Sequence, residues 1–376
     1  GRARQDVGQH GRGNFAAAAT AVGKFGQTNS SHDLHTEARE RRRHRMVMKK
    51  GSATVAQLSE FDEIIDVRSP AEFADDHIPG AVNMPVLDDE QRARVGTIYK
   101  QVSPFEARRI GGTLVAENLA RHLHAHFQDK PKHWRPLVYC WRGGQRSGAF
   151  VTWLRMVGWD ACQLEGGYKN FRRMVIDALE LQPATLDFRV VCGATGSAKT
   201  RILEALAAAG AQVLDLEGLA SHKGSVLGAL PGIAQPTQKK FETALHAVLS
   251  RFSPDRPVYV EAESRKIGRV HLPTELMEAM RGSPCFAIDA SREARIEFLL
   301  RDYAYLGDDV ADLQHKLGCL NRIVSKETLA RWQEYAAAHE LPALFTELVD
   351  QHYDPLYKRS QNSNYVRFGG AIHVRA

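Results

Sequence analysis

Two short stretches carry residue types and spacings suited to chemistry. The first is Val138-Tyr139-Cys140-Trp141-Arg142-Gly143-Gly144-Gln145-Arg146-Ser147. Its apolar start, from Leu137 to Tyr139, reads as a buried strand ending on the cysteine, and the residues from Ser147 to Val151 can start a helix. A strand, a tight loop and a helix point successive backbone N–H groups at one spot before the helix N-terminus. A thiol held there beside two guanidinium groups has a lowered pKa. A core cysteine would need neither the glycines nor the arginines, so Cys140 is read as a nucleophile. Trp141, Arg142, Gly143, Gly144, Gln145 and Arg146 form its anion cradle.

The second stretch follows the strand pattern Phe188-Arg189-Val190-Val191-Cys192. Gly193-Ala194-Thr195-Gly196-Ser197-Ala198-Lys199-Thr200 then leads into an amphipathic helix with Ile202, Leu203 and Leu206 on one side. This is one residue away from the P-loop pattern G-x-x-x-x-G-K-S/T, in the required strand–loop–helix context. The loop amides from Gly193 to Ser197 would wrap phosphates, Lys199 would pair with their charge, and the Thr200 hydroxyl suits a magnesium ion. The departure is Ala198, where the pattern has glycine. A methyl group there crowds the approach of phosphate, so a phosphate or diphosphate ligand is expected in preference to a tightly held triphosphate. Ser221-His222-Lys223-Gly224-Ser225 adds phosphate-binding side chains, although alone it could be a helix cap. Glu261 or Glu263, at the end of the strand pattern Pro257 to Glu261, can hold a magnesium-bound water or simply end a strand. No metal ligand set is assigned, and magnesium is the one cofactor considered.

Composition bounds the rest. The chain has 376 residues, 43% hydrophobic and 25% charged, which suggests two domains of a soluble protein. No apolar run is long enough to span a membrane. The five cysteines form no C-x-x-C pair, which argues against a zinc site or a disulfide framework and fits a reducing cytoplasm. Net charge is +6, but residues 1–50 hold eight Arg and three Lys against two Asp and two Glu, a net +7, so the remainder sums to −1. Basicity belongs to that segment, read as a disordered tail or a misassigned start. An RNA surface elsewhere must come from local clustering.

The elements that position the two loops follow the same order of strand then helix. Glu63 to Arg68 reads as a strand, and Ser69-Pro70-Ala71-Glu72-Phe73 starts a helix with Ser69 as N-cap. A helix is expected after Gly111-Gly112, up to about residue 127. Further strands are expected at Leu137–Tyr139, Ala161–Leu164, Gln212–Asp215 and Phe286–Asp289. Glu165-Gly166-Gly167-Tyr168 is a turn into another helix. Residues 181–186, with Pro183, read as a linker. Everything after the last of these strands is expected to be helical. It ends in the mixture His352-Tyr353-Asp354-Pro355-Leu356-Tyr357-Lys358-Arg359-Ser360, which can stack on and pair with RNA or simply form an exposed helix end. Alternation of strand and helix predicts an α/β fold with parallel sheets: residues 1–50 as the tail, 51–183 as one domain and 184–376 as a second, P-loop NTPase-like one.

Asp66-Val67-Arg68 with Glu72-Phe73, His77-Ile78-Pro79-Gly80-Ala81, the cysteine loop and Glu165-Gly166-Gly167 resemble a rhodanese domain. The resemblance implies that Cys140 carries sulfur or selenium, with Asp66 and Arg68 bracing the loop. The Cys-x5-Arg interval from Cys140 to Arg146 is that of rhodanese-fold phosphatases, and the wider loop suits a donor carrying phosphate. A rhodanese domain followed by a P-loop domain, with Leu87-Asp88-Asp89-Glu90, Val95 to Gln101, Gly166 to Lys169, Ser221 to Ser225 and Tyr353-Asp354-Pro355, resembles the tRNA 2-selenouridine synthase family. That resemblance implies a tRNA substrate whose 2-thiouridine at wobble position 34 is geranylated from geranyl diphosphate and then selenated from selenophosphate. Cys140 would accept or relay selenium, and the P-loop would hold the diphosphate. The rival enzyme reading is a rhodanese-type sulfurtransferase or phosphatase with a nucleotide-binding regulatory domain. A non-catalytic RNA- or nucleotide-binding protein is the rival from a different class. Oligomeric state is not legible from the sequence.

Overall fold

The computed structural model describes residues 51–375, without the side chains of residues 360–363. The expected basic tail, residues 1–50, lies outside the described residues. From Gly51 onward the chain clusters as one compact unit built around two five-stranded sheets, each parallel throughout. The first contains β1 (Ser52–Ala53), β2 (Glu63–Asp66), β3 (Val82–Asn83), β4 (Pro136–Tyr139) and β5 (Cys162–Leu164), in the order β1-β5-β4-β2-β3. The second contains β6 (Phe188–Gly193), β7 (Gln212–Leu214), β8 (Val258–Glu261), β11 (Cys285–Asp289) and β12 (Ile372–Arg375), in the order β12-β11-β6-β8-β7. Two residues each, β9 (Lys266–Ile267) and β10 (Val270–His271) form a separate antiparallel pair. The expected α/β class holds.

The cysteine loop leaves β4 and the P-loop leaves β6, in each case the middle strand of five. Parallel strands covered on both faces must be apolar throughout, and all four residues of β4 are buried. Such a sheet offers ligands the crevice beyond its carboxyl ends, where connections leave to opposite sides. Both loops therefore stand where the topology opens the backbone.

Helices α1 (Pro70–Asp75), α2 (Asp89–Gln101), α3 (Pro104–His126), α4 (Gln145–Val157) and α5 (Gly167–Leu181) accompany the first sheet. Ser69 caps α1 with a reciprocal bond to Glu72, and Pro70 occupies the first turn, as its sequence predicts. The expectation that α3 begins after Gly111-Gly112 is wrong. Ser103 caps it, and the helix runs straight through both glycines. A methyl added at Gly111 would lie 3.2 Å from the Val95 side chain of α2, so this glycine allows two helices to approach closely and does not break one.

The second sheet carries α6 (Lys199–Ala208), α7 (Leu216–Ala220), α8 (Gln238–Leu249), α9 (Thr274–Arg281) and α10 (Arg292–Asp302). Further helices follow, from Val310 to Asn364, around a separate core with Trp332, Phe345 and Leu348. The C-terminal stretch is not helical to its end, because Ile372–Arg375 adds a parallel edge strand to β11. Residues 181–186 are not a loose linker either. Gln182–Thr185 forms a 3-10 turn with Pro183 buried, and one apolar cluster runs from Tyr139, Tyr168 and Phe171 to Phe188, Phe241 and Met280. The two sheets share this core.

Candidate active site

Cys140 is the first residue past β4 and is only 3% exposed. Its Sγ accepts hydrogen bonds from the Ser147 hydroxyl at 3.1 Å and from the Gly144 N–H at 3.3 Å. Ser147 in turn accepts from Gln163 Nε2 at 2.8 Å, which orients its own proton toward sulfur. Burial alone pushes the thiol pKa up, but these donors and the Arg146 charge outweigh it and hold the thiol below its usual value. Nothing else in the described chain combines a cysteine with such a set of donors.

The loop is braced from behind. Gly167, at φ +58°, stands where a methyl group would meet the Cys140 carbonyl oxygen at 2.2 Å, so only glycine fits. The next two N–H groups, of Tyr168 and Lys169, donate to the carbonyls of Cys140 and Trp141 at 2.9 and 3.0 Å. Asp66 and Arg68 are fully buried and paired at 2.6 Å, with the guanidinium 4.0 Å from the centre of the Tyr168 ring. Among the described residues neither side chain makes a hydrogen bond to Cys140, Gly144 or Ser147. Arg68 also donates to the Asp76 carbonyl at 2.6 Å. The Asp76 carboxylate, 1% exposed, accepts from the Tyr168 hydroxyl at 2.8 Å and from Thr243 of α8 at 2.9 Å. A side chain of the second sheet's layer thus reaches the support of the cysteine loop.

The cradle residues divide. Gly143 takes a positive φ, Gly144 supplies an N–H to sulfur, and Gln145 opens α4. Trp141 leans on Tyr168, with ring centres 5.4 Å apart, and Arg142 is exposed beside it. Arg146 is already engaged, since its Nη1 meets Glu72 Oε2 at 2.8 Å. An arriving anion must compete with that carboxylate, a partner the sequence reading did not supply. Although burial works against ionisation of Glu72, Arg146 leads the contacts that hold its carboxyl below the usual range.

The second site is a cleft of about 590 Å³ lined by Gly193, Gly196, Ala198, Lys199 and Thr200 together with His222 and Lys223. The structure therefore joins the two segments that sequence spacing kept apart. Ser197 is buried beneath the loop with an unpartnered hydroxyl. Ser221 takes a left-handed φ of +50° as it ends α7. Lys199 donates to the Gly193 carbonyl at 2.9 Å, and Thr200 donates to Glu217 Oε2 at 3.3 Å. Lys223 is paired with Asp302 at 2.6 Å, so its charge is largely neutralised. Ala198 itself has φ +58° and ψ +29°. The missing glycine thus costs backbone energy as well as space, because left-handed geometry disfavours any residue with a Cβ.

Three glutamates crowd the floor. Glu261 Oε1 accepts from the Leu216 and Glu217 N–H groups at 2.8 and 2.9 Å, while its Oε2 is buried without a partner. Burial and the neighbouring Glu263 push both Glu217 and Glu261 up to about 8, and burial also raises Glu263. Among the described residues no group of three or more His, Cys, Asp or Glu can hold a metal ion unaided. Thr200 and Glu217 meet at the cleft wall, while the partnerless Glu261 oxygen is buried. Glu217 was not singled out from the sequence. Its signal, a carboxylate three residues past the strand β7, is weak.

His352 and Tyr353 are buried and line this same cleft with Leu356 and Tyr357. His352 and Tyr353 therefore do not belong to an exposed helix end, whereas Leu356 is exposed and Tyr357 half-buried. Asp354 pairs with the buried Arg295 at 2.8 Å. A methyl added at Gly196 would strike the carbonyl of that arginine, so the pair stands directly behind the P-loop. Cys140 does not line the cleft.

Comparison with known proteins agrees with this division. Residues 52–174 match the rhodanese-like domain, and residues 186–323 match the tRNA 2-selenouridine synthase AAA domain. The tRNA 2-selenouridine synthase of Marinobacter nauticus is 39% identical over 342 residues, 82% of this chain and 92% of that protein. That of Aeromonas salmonicida is 34% identical over 324 residues, 78% of this chain and 86% of that protein. The protein of the same name from Alcanivorax borkumensis is 42% identical over 243 residues, which span 64% of this chain and 66% of its own length. With a thiolate cradle, a modified P-loop and this likeness across both, the chain belongs to the tRNA 2-selenouridine synthase family.

Proposed function

We propose that this chain is a tRNA-modifying enzyme that exchanges the sulfur of a wobble 2-thiouridine for selenium. The carrying observation is the Cys140 thiol, buried yet supplied with two hydrogen-bond donors to sulfur and an arginine at its rim. Selenophosphate is the donor, bound at the cysteine loop, where Arg142 and Arg146 offset its charge. Cys140 relays the selenium at the selenide level: its thiolate attacks phosphorus, the phosphorus–selenium bond breaks, and hydrogen selenide leaves for C2. Geranyl diphosphate is the second substrate, with its diphosphate on the P-loop amides, Lys199 and Thr200. The allylic carbon–oxygen bond breaks, the thiocarbonyl sulfur takes the geranyl group, and diphosphate leaves. The alkylated sulfur then departs from C2 as geranyl thiolate when selenium attacks there. Phosphate is the other product, once water cleaves the phosphorus–sulfur bond formed at Cys140. Magnesium, when bound at Thr200 and Glu217, would offset diphosphate charge. The cytoplasm is the fitting compartment, since it keeps the loop thiol reduced.

The test incubates the protein, and a Cys140→Ser variant, with 2-thiouridine tRNA, geranyl diphosphate and selenophosphate, followed by nucleoside mass spectrometry. Selenouridine from wild type alone is the expected result. A geranylated nucleoside persisting in the variant is also expected, because the P-loop cleft does not contain Cys140. Unchanged tRNA with wild type and all three substrates present would refute the proposal.

A further inference from the structure

The hairpin formed by α2 and α3 is not needed by either site as described. No residue of α2 is buried. Near the turn, Tyr99 is 57% exposed, Val102 69% and Phe105 65%. Basic side chains alternate with them. Residues 92–110 hold four Arg and one Lys against one Glu, a net +4, in a chain whose residues 51–376 sum to −1. Arg94, Lys100 and Arg108 are exposed and, among the described residues, make no ion pair. Exposed apolar rings interleaved with unpaired cations fit unpaired nucleotides, whose bases stack and whose phosphates pair. A second copy of this chain is the poorer partner, since it would bring the same +4 against itself.

The position of the hairpin adds the decisive observation. Its base abuts the cysteine site: Asp89 accepts from the Ala71 N–H at 3.0 Å, and Arg92 lies 3.7 Å from Glu72, the carboxylate that also holds Arg146. Tyr99 stands ten residues along α2 from Asp89, about 15 Å at the rise of an α-helix. An RNA loop could thus reach the Cys140 rim with one nucleotide while its neighbours lie along the hairpin. Resting on the tRNA reading above, we propose that the α2–α3 tip is the docking surface for the single-stranded loop of the substrate RNA. Tyr99 and Phe105 provide the stacking platforms, and Arg94, Lys100 and Arg108 pair with phosphates.

Fluorescence anisotropy of a labelled tRNA transcript with the full chain tests this across a salt series. Replacing Tyr99→Ala and Phe105→Ala together weakens binding by about tenfold or more. The triple change Arg94→Glu, Lys100→Glu, Arg108→Glu flattens the salt dependence of log K by about 2 or more. All five residues are solvent-facing, so thermal melting and the rate of Cys140 alkylation stay at wild-type values in both variants. Wild-type affinity and salt slope in both variants overturn the inference and leave the selenation reading standing. Loss of a dimer in sedimentation, with RNA binding unchanged, also overturns it. A wild-type chain that binds no tRNA removes both.

Discussion

Ser147 is the most direct handle on the reactivity of Cys140. Changing Ser147→Ala removes the 3.1 Å hydrogen bond to Sγ and leaves the Gly144 N–H at 3.3 Å and the Arg146 charge in place. A hydrogen bond to an ionised acceptor is worth about 1.5–3 kcal/mol. At about 1.4 kcal/mol for each pH unit, the thiol pKa rises by roughly 1–2. At pH values below the wild-type midpoint the thiolate fraction then falls about 10- to 100-fold, but a more basic thiolate is the better nucleophile and recovers about half of that on a logarithmic scale. Alkylation by iodoacetamide below that midpoint should therefore slow by about 3- to 10-fold, with the midpoint itself displaced upward. The assay belongs in a Cys319→Ser background, because Cys319 is exposed while Cys162, Cys192 and Cys285 are buried. A midpoint within a few tenths of wild type would mean that Ser147 does not donate to sulfur, and the cradle as described would be wrong.

Ala198→Gly should raise stability by about 1 kcal/mol. It relieves a left-handed cost of about 1–2 kcal/mol and gives back about 0.5–1 kcal/mol of chain entropy. A melting temperature below that of the parent would contradict the strain at φ +58°. The raised carboxyls make stability fall with increasing pH. Glu217 and Glu261 hold protons up to about 8 in the folded chain, against 4.5 ordinarily, so their contribution is present below 4.5 and lost as pH rises through 8. Melting curves between pH 6 and 9 should show the decline, and Glu261→Gln, which keeps the acceptor for the α7 amides, should flatten it. Thr243→Val takes one donor from the buried Asp76 carboxylate and should cost about 2 kcal/mol in urea unfolding. In a double variant with Tyr168→Phe, which removes the other donor to the same oxygen, strict additivity would show that the two do not share Asp76.

What could be read ahead of the structure was local. The cysteine loop and the P-loop each complete their geometry within about ten residues, so strand, glycines and helix start were legible as units. Ala198 was legible as a departure, yet only its φ shows that the backbone, and not the methyl group alone, carries the cost. Pro183 looked like a boundary because proline punctuates chains, whereas the turn it makes is packed against α5 and α9 with Pro183 buried. Gly111 looked like a helix break for a similar reason, and Val95 explains it. These misreadings share one cause: a breaker residue reports on its own backbone, while its reason lies in an element elsewhere in the chain.

Glu72 shows where local reasoning ends. The pattern Ser-Pro-Ala-Glu announces a capping box, and the Glu72 carboxylate does accept from the Ser69 N–H at 3.2 Å. Its second role, holding Arg146 at 2.8 Å, depends on β2 lying beside β4 with Asp66 opposite Tyr139. That register sets the start of α1 next to the cysteine loop, so one oxygen can serve both a helix cap and the cradle's arginine. An incoming anion at the cradle therefore competes for Arg146 with a carboxylate that α1 holds in place. The rim of the site is thereby tied to the same short helix whose far end leads to Asp76 and, through Thr243, to the second sheet's layer.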